Sequence, residues 1–557
     1  MKTSINKVGG ANMGRPAEVV EMVRAELDAG HAPVLVVSAL KGQGKLEQTT
    51  DMLVRAADGL DDLNFQEADI DSAFAEVLDY HQRYIDEHFK GDFAQQAQDF
   101  TGNQYGLLRQ SLMAWRSAFH LDELSSVSLP AEATSHLIDP GKADLQSAKQ
   151  PAEGLVLRPI HDPHGLRDLI IGLGEKLAAG LMAIRLRQEG IESELIDRVR
   201  IVGGKFNGEA VSVDRIHAES RKAIAERMTE SREGVVRVLG GHIEGTPKGM
   251  AVSVGRSYTD TTAVNAAIAL REMGEDLAHT TAWKDVQGAM SANPKDLRDP
   301  SKAVVHRDLS INEGLQMAGA GSELMQIDSL ALAAEHNIDL SLRDIREPRQ
   351  NRGTYYSHMD IQTGHAFKAI VANPNVDTVS ISLPEMANRH GFYAAITQVF
   401  AKHEIEIGDI PSSSTSMTIS IPLPKDQTDR EVKRDAIRAA LQELREVVVG
   451  DEKFRSGERR WRKGDLASLA VIGDELPNST GILGEITSFL GAHGIDIKTI
   501  TQDDFQRRIM ILLSKEKYRQ ASQVLHRIFI EKDADFIAES RRRRDQISDL
   551  LVSRRAN

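Results

Sequence analysis

Lys7 stands inside an apolar, strand-like run, INKV, directly before Gly9 and Gly10. An ammonium buried there is costly unless it reaches the strand end and meets an anion. Glu175 follows Gly174 in IIGLGEKLAAGLM; placed near a helix start, its carboxylate gains from the helix dipole and can grip an amino group. The stretch VSVGRSYTDTTAVNAAIAL adds Arg256 for a carboxylate, Thr259 as a hydroxyl donor and Asp260 as an anion where a strand hands over to a helix. Each has a plainer explanation: snorkelling to water for Lys7, an ordinary first-turn acid for Glu175, an N-cap for Asp260. Together they form an inventory of one lysine, one arginine, acids and hydroxyls at strand ends. That inventory suits phosphoryl transfer, in which positioning and charge compensation outweigh covalent chemistry.

Glycine-rich turns follow apolar strands twice, Gly9-Gly10 after INKV and Gly240-Gly241 after VVRVL, and a polar turn from Ser38 to Gly44 follows PVLVV. In open parallel sheets ligands bind beyond the carboxyl ends of the strands, where glycines let backbone amides approach a phosphate. Neither common nucleotide fingerprint is present. KGQGKL lacks the first glycine and the Ser/Thr of a Walker loop, and no GxGxxG turn stands at the first βα junction. No His/Asp/Glu cluster stands at metal-ligand spacing and no Ser/His/Asp constellation is legible.

The elements that must position these residues read as an α/β protein. The helical segment PAEVVEMVRAELDAG lies between INKVGG and HAPVLVVSALKG, a βαβ unit and hence a parallel sheet. Residues 46–166 form a polar, helix-rich insertion with a flexible excursion near 124–166. Alternation resumes with ESELID and RVRIVG as strands, VDRIHAESRKAIAERMTES as a helix and GVVRVLGG as a buried strand. Beyond residue 370 a βαββα grammar occurs twice, in DTVSISLPEMANRHGFYAAITQVFAKHEIEIGDIPSSSTSMTISIPL and again in ASLAVIGDELPNSTGILGEITSFLGAHGIDIKTITQDDFQRRIMILLS. The segmentation is 1–360, 370–450, 460–535 and a basic helix over 536–557.

With 557 residues and a formal charge of −14, the chain is too long for one core and too acidic for nucleic acid to be its main partner. It has no cysteine, which excludes disulfides, thiolate metal sites and cysteine nucleophiles. No stretch reaches the ~20 apolar residues of a membrane span, and the N-terminus lacks a secretory core, so a cytoplasmic protein is expected.

The order of these pieces resembles aspartate kinase, of the amino-acid kinase family, along nearly the whole chain. KVGG is similar to the family's K-[FY]-G-G-T-S, VVSAL to its serine-alanine loop and GEKLAAGL to its glycine-glutamate helix. GRSYTDTTA is similar to G-R-G-G-S-D-Y-T-A, AWKDVQGAMSANP to W-[TK]-D-V-x-G-[IV]-[YF]-T-[AT]-D-P, and the two repeats to tandem ACT domains. The resemblance implies a three-layer α/β/α kinase domain with a mainly parallel sheet, followed by two ferredoxin-like ACT domains. It implies transfer of the ATP γ-phosphate to the side-chain carboxylate of L-aspartate, with Mg2+ bridging the phosphates. Lys7 would neutralise the transferring phosphate beside Asp260. Ser38 and Ala39 would line the aspartate site, Glu175 would hold the amino group, Arg256 the carboxylate, and Thr259 would sit at the junction with the nucleotide. Gly9, Gly10 and Asp285 would face ATP. Glu323 stands where a nucleotide-contacting lysine is expected, and Lys284 or Lys295 would replace that cation. Gly391, Phe392, Ser412 and Ser413 are the effector candidates; Gly408 and Ser414 replace two acidic positions that would meet lysine, which leaves threonine or another neutral amino acid open. A homodimer or homotetramer is implied. The alternatives are a catalytically impaired paralogue that binds amino acids, and a kinase of another small amino or carboxylic acid.

Overall fold

The computed structural model describes residues 1–41, 48–60, 66–122, 163–197, 199–201, 212–232, 234–246, 250, 254, 258–350, 352–359, 367–382, 391–424, 427–444, 461–502 and 507–555. They form two compact units, Met1–Gly288 with Asp328–His358, and Ala289–Ile327 with Met359–Asn557.

In the first unit, strands β1 (Lys2–Val8), β2 (His31–Val37), β3 (Ser193–Ile196), β4 (Val236–Gly240), β5 (Leu277–Lys284), β7 (Leu340–Asp344) and β8 (Thr354–Ser357) lie in the order β3-β4-β2-β1-β5-β7-β8; β6 (Asp308–Ser310) belongs to the residues of the second unit. All neighbours are parallel except β7 and β8. Alternation sorts the side chains by face. Val8, Leu35, Val37, Val236 and Val238 share one core with the helices Pro16–Asp28, Thr49–Gly59, Glu67–His88 and Pro163–Gln188. Ile5, Val34, Val36 and Leu239 are equally buried but fall on the other face, where the helix Tyr258–Glu272 packs on β1, β2 and β5. Every residue of that helix from Tyr258 to Leu270 is buried, which its small side chains (Thr, Ala, Asn) permit. The expected α/β architecture with a mainly parallel sheet is thus borne out.

The insertion is helical where it is described, through the helices Glu67–His88 and Asp92–Asp122; the excursion expected near 124–166 lies almost wholly outside the described residues. Of RVRIVG only residues 199–201 are described; there Arg200 makes a parallel bridge to Glu244.

In the second unit both repeats contribute to one five-stranded sheet, ordered β10-β9-β11-β13-β12, with β9 (Ala369–Ser382), β10 (Ser416–Pro422), β11 (Trp461–Ile472), β12 (Ile497–Gln502) and β13 (Arg508–Ser514). The 14-residue strand β9 is the seam. Its Val379 and Ile381 enter the core of the first repeat with Ile396, Phe400 and Ile419, while its Ile370 enters the core of the second with Leu469, Ile486 and Ile511. One expected strand is irregular. Residues 405–411 run beside β10 through bonds such as Gly408 N–H to the Ser420 carbonyl (2.8 Å), without forming a regular strand. Pro411 has no N–H to continue the ladder.

Candidate active site

The carboxyl edge of the parallel sheet gathers four turns. Lys7 lies one residue from the end of β1, in register with Val36 and Ala282 on its two neighbours. Period-2 alternation puts it on the face of the Tyr258–Glu272 helix. There Asp260, in the first turn, meets its Nζ at 2.6 Å and the Lys284 Nζ at 4.0 Å. Both the Lys7 and Asp260 side chains are buried. One carboxylate thus holds two ammonium groups from adjacent strand ends, a net positive cluster suited to an anion.

Thr259 reaches the other way. Its hydroxyl donates to Glu175 Oε1 at 2.9 Å and accepts from the Ser38 hydroxyl at 3.0 Å. Glu175 lies well inside the helix Pro163–Gln188, not near its start as the sequence suggested, because the helix begins eleven residues before Gly174. Helix-dipole stabilisation therefore does not reach it. Burial pushes its carboxyl up to about 7, against the opposing pull of His242, Thr259 and Lys7. Its second oxygen, Oε2, is buried and has no hydrogen-bond partner among the described residues.

Tight backbone contacts set these distances. A Cβ at Gly10 would lie 2.4 Å from the Ala39 carbonyl, so the turns after β1 and β2 touch only because that residue is glycine. A Cβ at Gly241 would meet Thr259 Cγ2 at 2.5 Å, so the turn after β4 clamps the threonine in the same way. Ala39 itself is buried against Gly174.

Two residues of the site were not read from the sequence. His242, directly after Gly240-Gly241, places Nδ1 2.9 Å from the Tyr258 hydroxyl and Nε2 3.4 Å from Asp168 Oδ2. Asp168 in turn accepts the Met250 N–H at 2.8 Å. Burial alone would push the His242 imidazole down, but the carboxylates of Asp168 and Glu175 outweigh it and raise its pKa. The position after a glycine pair at a strand end was the available signal for His242. Nothing local marked Asp168.

Of the other expected residues, Arg256 lies outside the described residues. Asp285 follows β5, exposed, with its backbone carbonyl accepting from Arg346 at 2.9 Å. Lys295 and Glu323 belong to the second unit, both exposed. In that unit Gly391 caps the helix Phe392–Lys402, and the Tyr393 hydroxyl donates to the Ser413 carbonyl at 3.2 Å. The Tyr393 side chain thus links the start of this helix to the Ser412–Ser413 turn; the Phe392 side chain lies outside what is described.

Among the described residues no helix is long and apolar enough to cross a membrane. A parallel sheet whose carboxyl edge carries a lysine pair beside a buried, half-satisfied carboxylate defines a small-molecule α/β enzyme site, and the chain belongs to the amino acid kinase family, which matches residues 2–344. Residues 469–529 match the ACT domain. Its curated relatives include the aspartokinase of Schizosaccharomyces pombe, 24% identical and covering 95% of this chain and 92% of that protein. Aspartate kinase FUB3 of Gibberella moniliformis is also 24% identical, over 95% of this chain and 98% of its own. In fold the chain is similar to Escherichia coli aspartokinase III in complex with lysine and aspartate, with a TM-score of 0.63, 18% identity and coverage of 95% and 99%. The resemblance to aspartate kinases read from the sequence is borne out.

Proposed function

We propose that the protein is an aspartate kinase, which transfers the γ-phosphate of ATP to the side-chain carboxylate of L-aspartate to give 4-phospho-L-aspartate. The observation that carries this reading is the hydrogen-bonded line Ser38–Thr259–Glu175, which adjoins Asp260 and its two lysines. The substrate ammonium would meet Glu175 Oε2, supplying the partner that oxygen lacks. Ser38 and Ala39 would line the chain of the amino acid, and Arg256 would receive its α-carboxylate. The side-chain carboxylate would then face Lys7.

A carboxylate with an ordinary pKa of about 4 is ionised at neutral pH, so the nucleophile needs no general base. One carboxylate oxygen forms a bond to the γ-phosphorus while the bond to the β-phosphate bridging oxygen breaks and ADP leaves. Charge compensation is what the protein must contribute. Lys7 does so at the transferring group, Lys284 on the nucleotide side, and the backbone N–H groups of Gly9 and Gly10 at the phosphates, while Asp285 would lie near the nucleotide. Asp260 is engaged by two lysines, so among the described residues the chain offers no free carboxylate there for Mg2+, which would come with the nucleotide. When bound, it supplies further neutralisation of the phosphates.

The two repeats would sense an amino-acid end product. The contact between Tyr393 and Ser413 supports a pocket at Gly391, Phe392, Ser412 and Ser413, and Gly408 and Ser414 favour a neutral effector over lysine. The strand β12 at one end of the shared sheet offers an edge for pairing between copies, which supports a homodimer or homotetramer.

A coupled ADP-release assay tests the reading with L-aspartate, other amino acids and no acceptor. Aspartate-dependent turnover is expected, lowered at least about a hundredfold in Lys7→Ala. Turnover with a different acceptor alone, or ligand-induced thermal stabilisation without any turnover, would replace it.

A further inference from the structure

At the opposite edge of the same sheet, three groups converge that no linear spacing joins. Glu26, near the end of the helix Pro16–Asp28, is 4% exposed. Its Oε2 lies 2.9 Å from Nδ1 of His31, the first residue of β2, and 2.9 Å from Nε2 of His279 on β5. These two strands flank β1, where His31 pairs with Lys2 and His279 with Ser4. Ser4 is small and fully buried, which lets the two imidazoles lean together above it with ring centroids 5.2 Å apart, edge to face.

We propose that Glu26, His31 and His279 bind one Zn2+ ion that ties this helix to the two strands on either side of β1.

All three ligand atoms lie within 4.8 Å of one another. Tetrahedral Zn2+ with bonds of about 2.0–2.1 Å spaces its ligands roughly 3.3 Å apart. The two 2.9 Å contacts therefore need to open by only a few tenths of an ångström. The donor set, two imidazoles and one carboxylate, suits this ion in a chain without cysteine. Both imidazoles are partly exposed, so water reaches the fourth position.

The surroundings orient the ligands. The Thr281 hydroxyl lies 2.9 Å from His279 Nδ1, and as an acceptor it selects the tautomer whose Nε2 lone pair faces Glu26. A hydroxyl can also donate, so the same contact serves the metal-free state, in which Nε2–H bonds the carboxylate. Arg343 stands 3.9 Å from the other oxygen, Oε1, and is drawn away by its stack on Trp283 and by the Pro348 carbonyl, leaving Oε2 to the ion. Strand length puts the site roughly 20 Å from Ser38, so the ion would act as a clamp rather than in phosphoryl transfer.

The test uses the full-length chain without a histidine tag, stripped with chelator and then titrated with Zn2+. One tightly held ion per chain by elemental analysis is expected, with a raised melting temperature. His31→Gln/His279→Gln should hold none and show no rise, and the single variant His31→Gln, at a strand start, keeps the test valid should the double variant misfold. Thr281→Val should weaken binding by about tenfold or more. Co2+ should give the visible absorption bands of a tetrahedral ion in the wild type and not in the variants. Equal Zn2+ content in wild type and folded variant, or less than one ion per wild-type chain, overturns the proposal.

Discussion

The Thr259 hydroxyl donates to Glu175 Oε1 at 2.9 Å, and the other oxygen of that carboxylate is left buried without a hydrogen-bond partner among the described residues. This half-satisfied acid links the pH dependence, affinity and stability of the protein. Burial holds its carboxyl up to about 7 from an ordinary 4.5, so it is largely protonated in mildly acidic solution when no ligand is bound. An aspartate ammonium requires it ionised. The KM for aspartate should therefore rise up to tenfold per pH unit as pH falls below about 7, and Glu175→Gln should raise KM at pH 8 while flattening that dependence. A pH profile of KM that is identical in the two proteins would remove Glu175 from the amino-group site.

The same group makes a stability prediction of definite sign. An acid whose folded pKa is raised favours the fold where it is protonated, below pH 4.5, and loses that contribution as pH rises through about 7. The loss is at most about 3 kcal/mol. Thermal melts of ligand-free protein between pH 5 and 8 should show wild type losing stability relative to Glu175→Gln as pH increases. Aspartate should restore part of it.

His242 tunes this acid from behind. Its positive form pulls the Glu175 carboxyl down, so His242→Gln should push Glu175 higher and move the rise in aspartate KM to a higher pH. Rescue is expected at alkaline pH, which a general packing defect would not show.

Lys7 and Asp260 separate chemistry from folding. Lys7→Ala should lower kcat by about 10²–10³-fold, the scale for loss of one preorganised charge partner. Asp260→Asn leaves the buried Lys7 ammonium facing a neutral amide, and should in addition cost about 3–5 kcal/mol in urea unfolding.

Gly241→Ala tests the clamp on Thr259. Its Cβ would enter to 2.5 Å from Thr259 Cγ2, forcing the hydroxyl away from Ser38 and Glu175. Overpacking of this kind costs about 1–3 kcal/mol, and kcat/KM should fall more than the melting temperature alone explains.

Much of this protein was determined by sequence alone, because strands and helices announce themselves by local period and the turns by glycine. A lysine in an apolar strand before Gly9-Gly10, the helix after GRSYTD and the repeated βαββα grammar are all legible within windows of a few residues. The tertiary structure decided what those pieces face. Parallel strands are joined by long crossovers, so Ser38, Glu175 and Thr259 are brought into contact only by sheet order and register. His242 is marked only by its place after Gly240-Gly241 and Asp168 by nothing local, since their meaning is the contact they make with each other across the fold. Glu175 read as a first-turn acid because a glycine before it imitates a helix start, whereas the helix runs on through Gly174 from Pro163. The two repeats read as separate sandwiches, yet β9 is long enough to pair with β10 and β11 and so joins them into one sheet. Backbone pairing between distant strands leaves little trace in composition, and only the folded chain settles it.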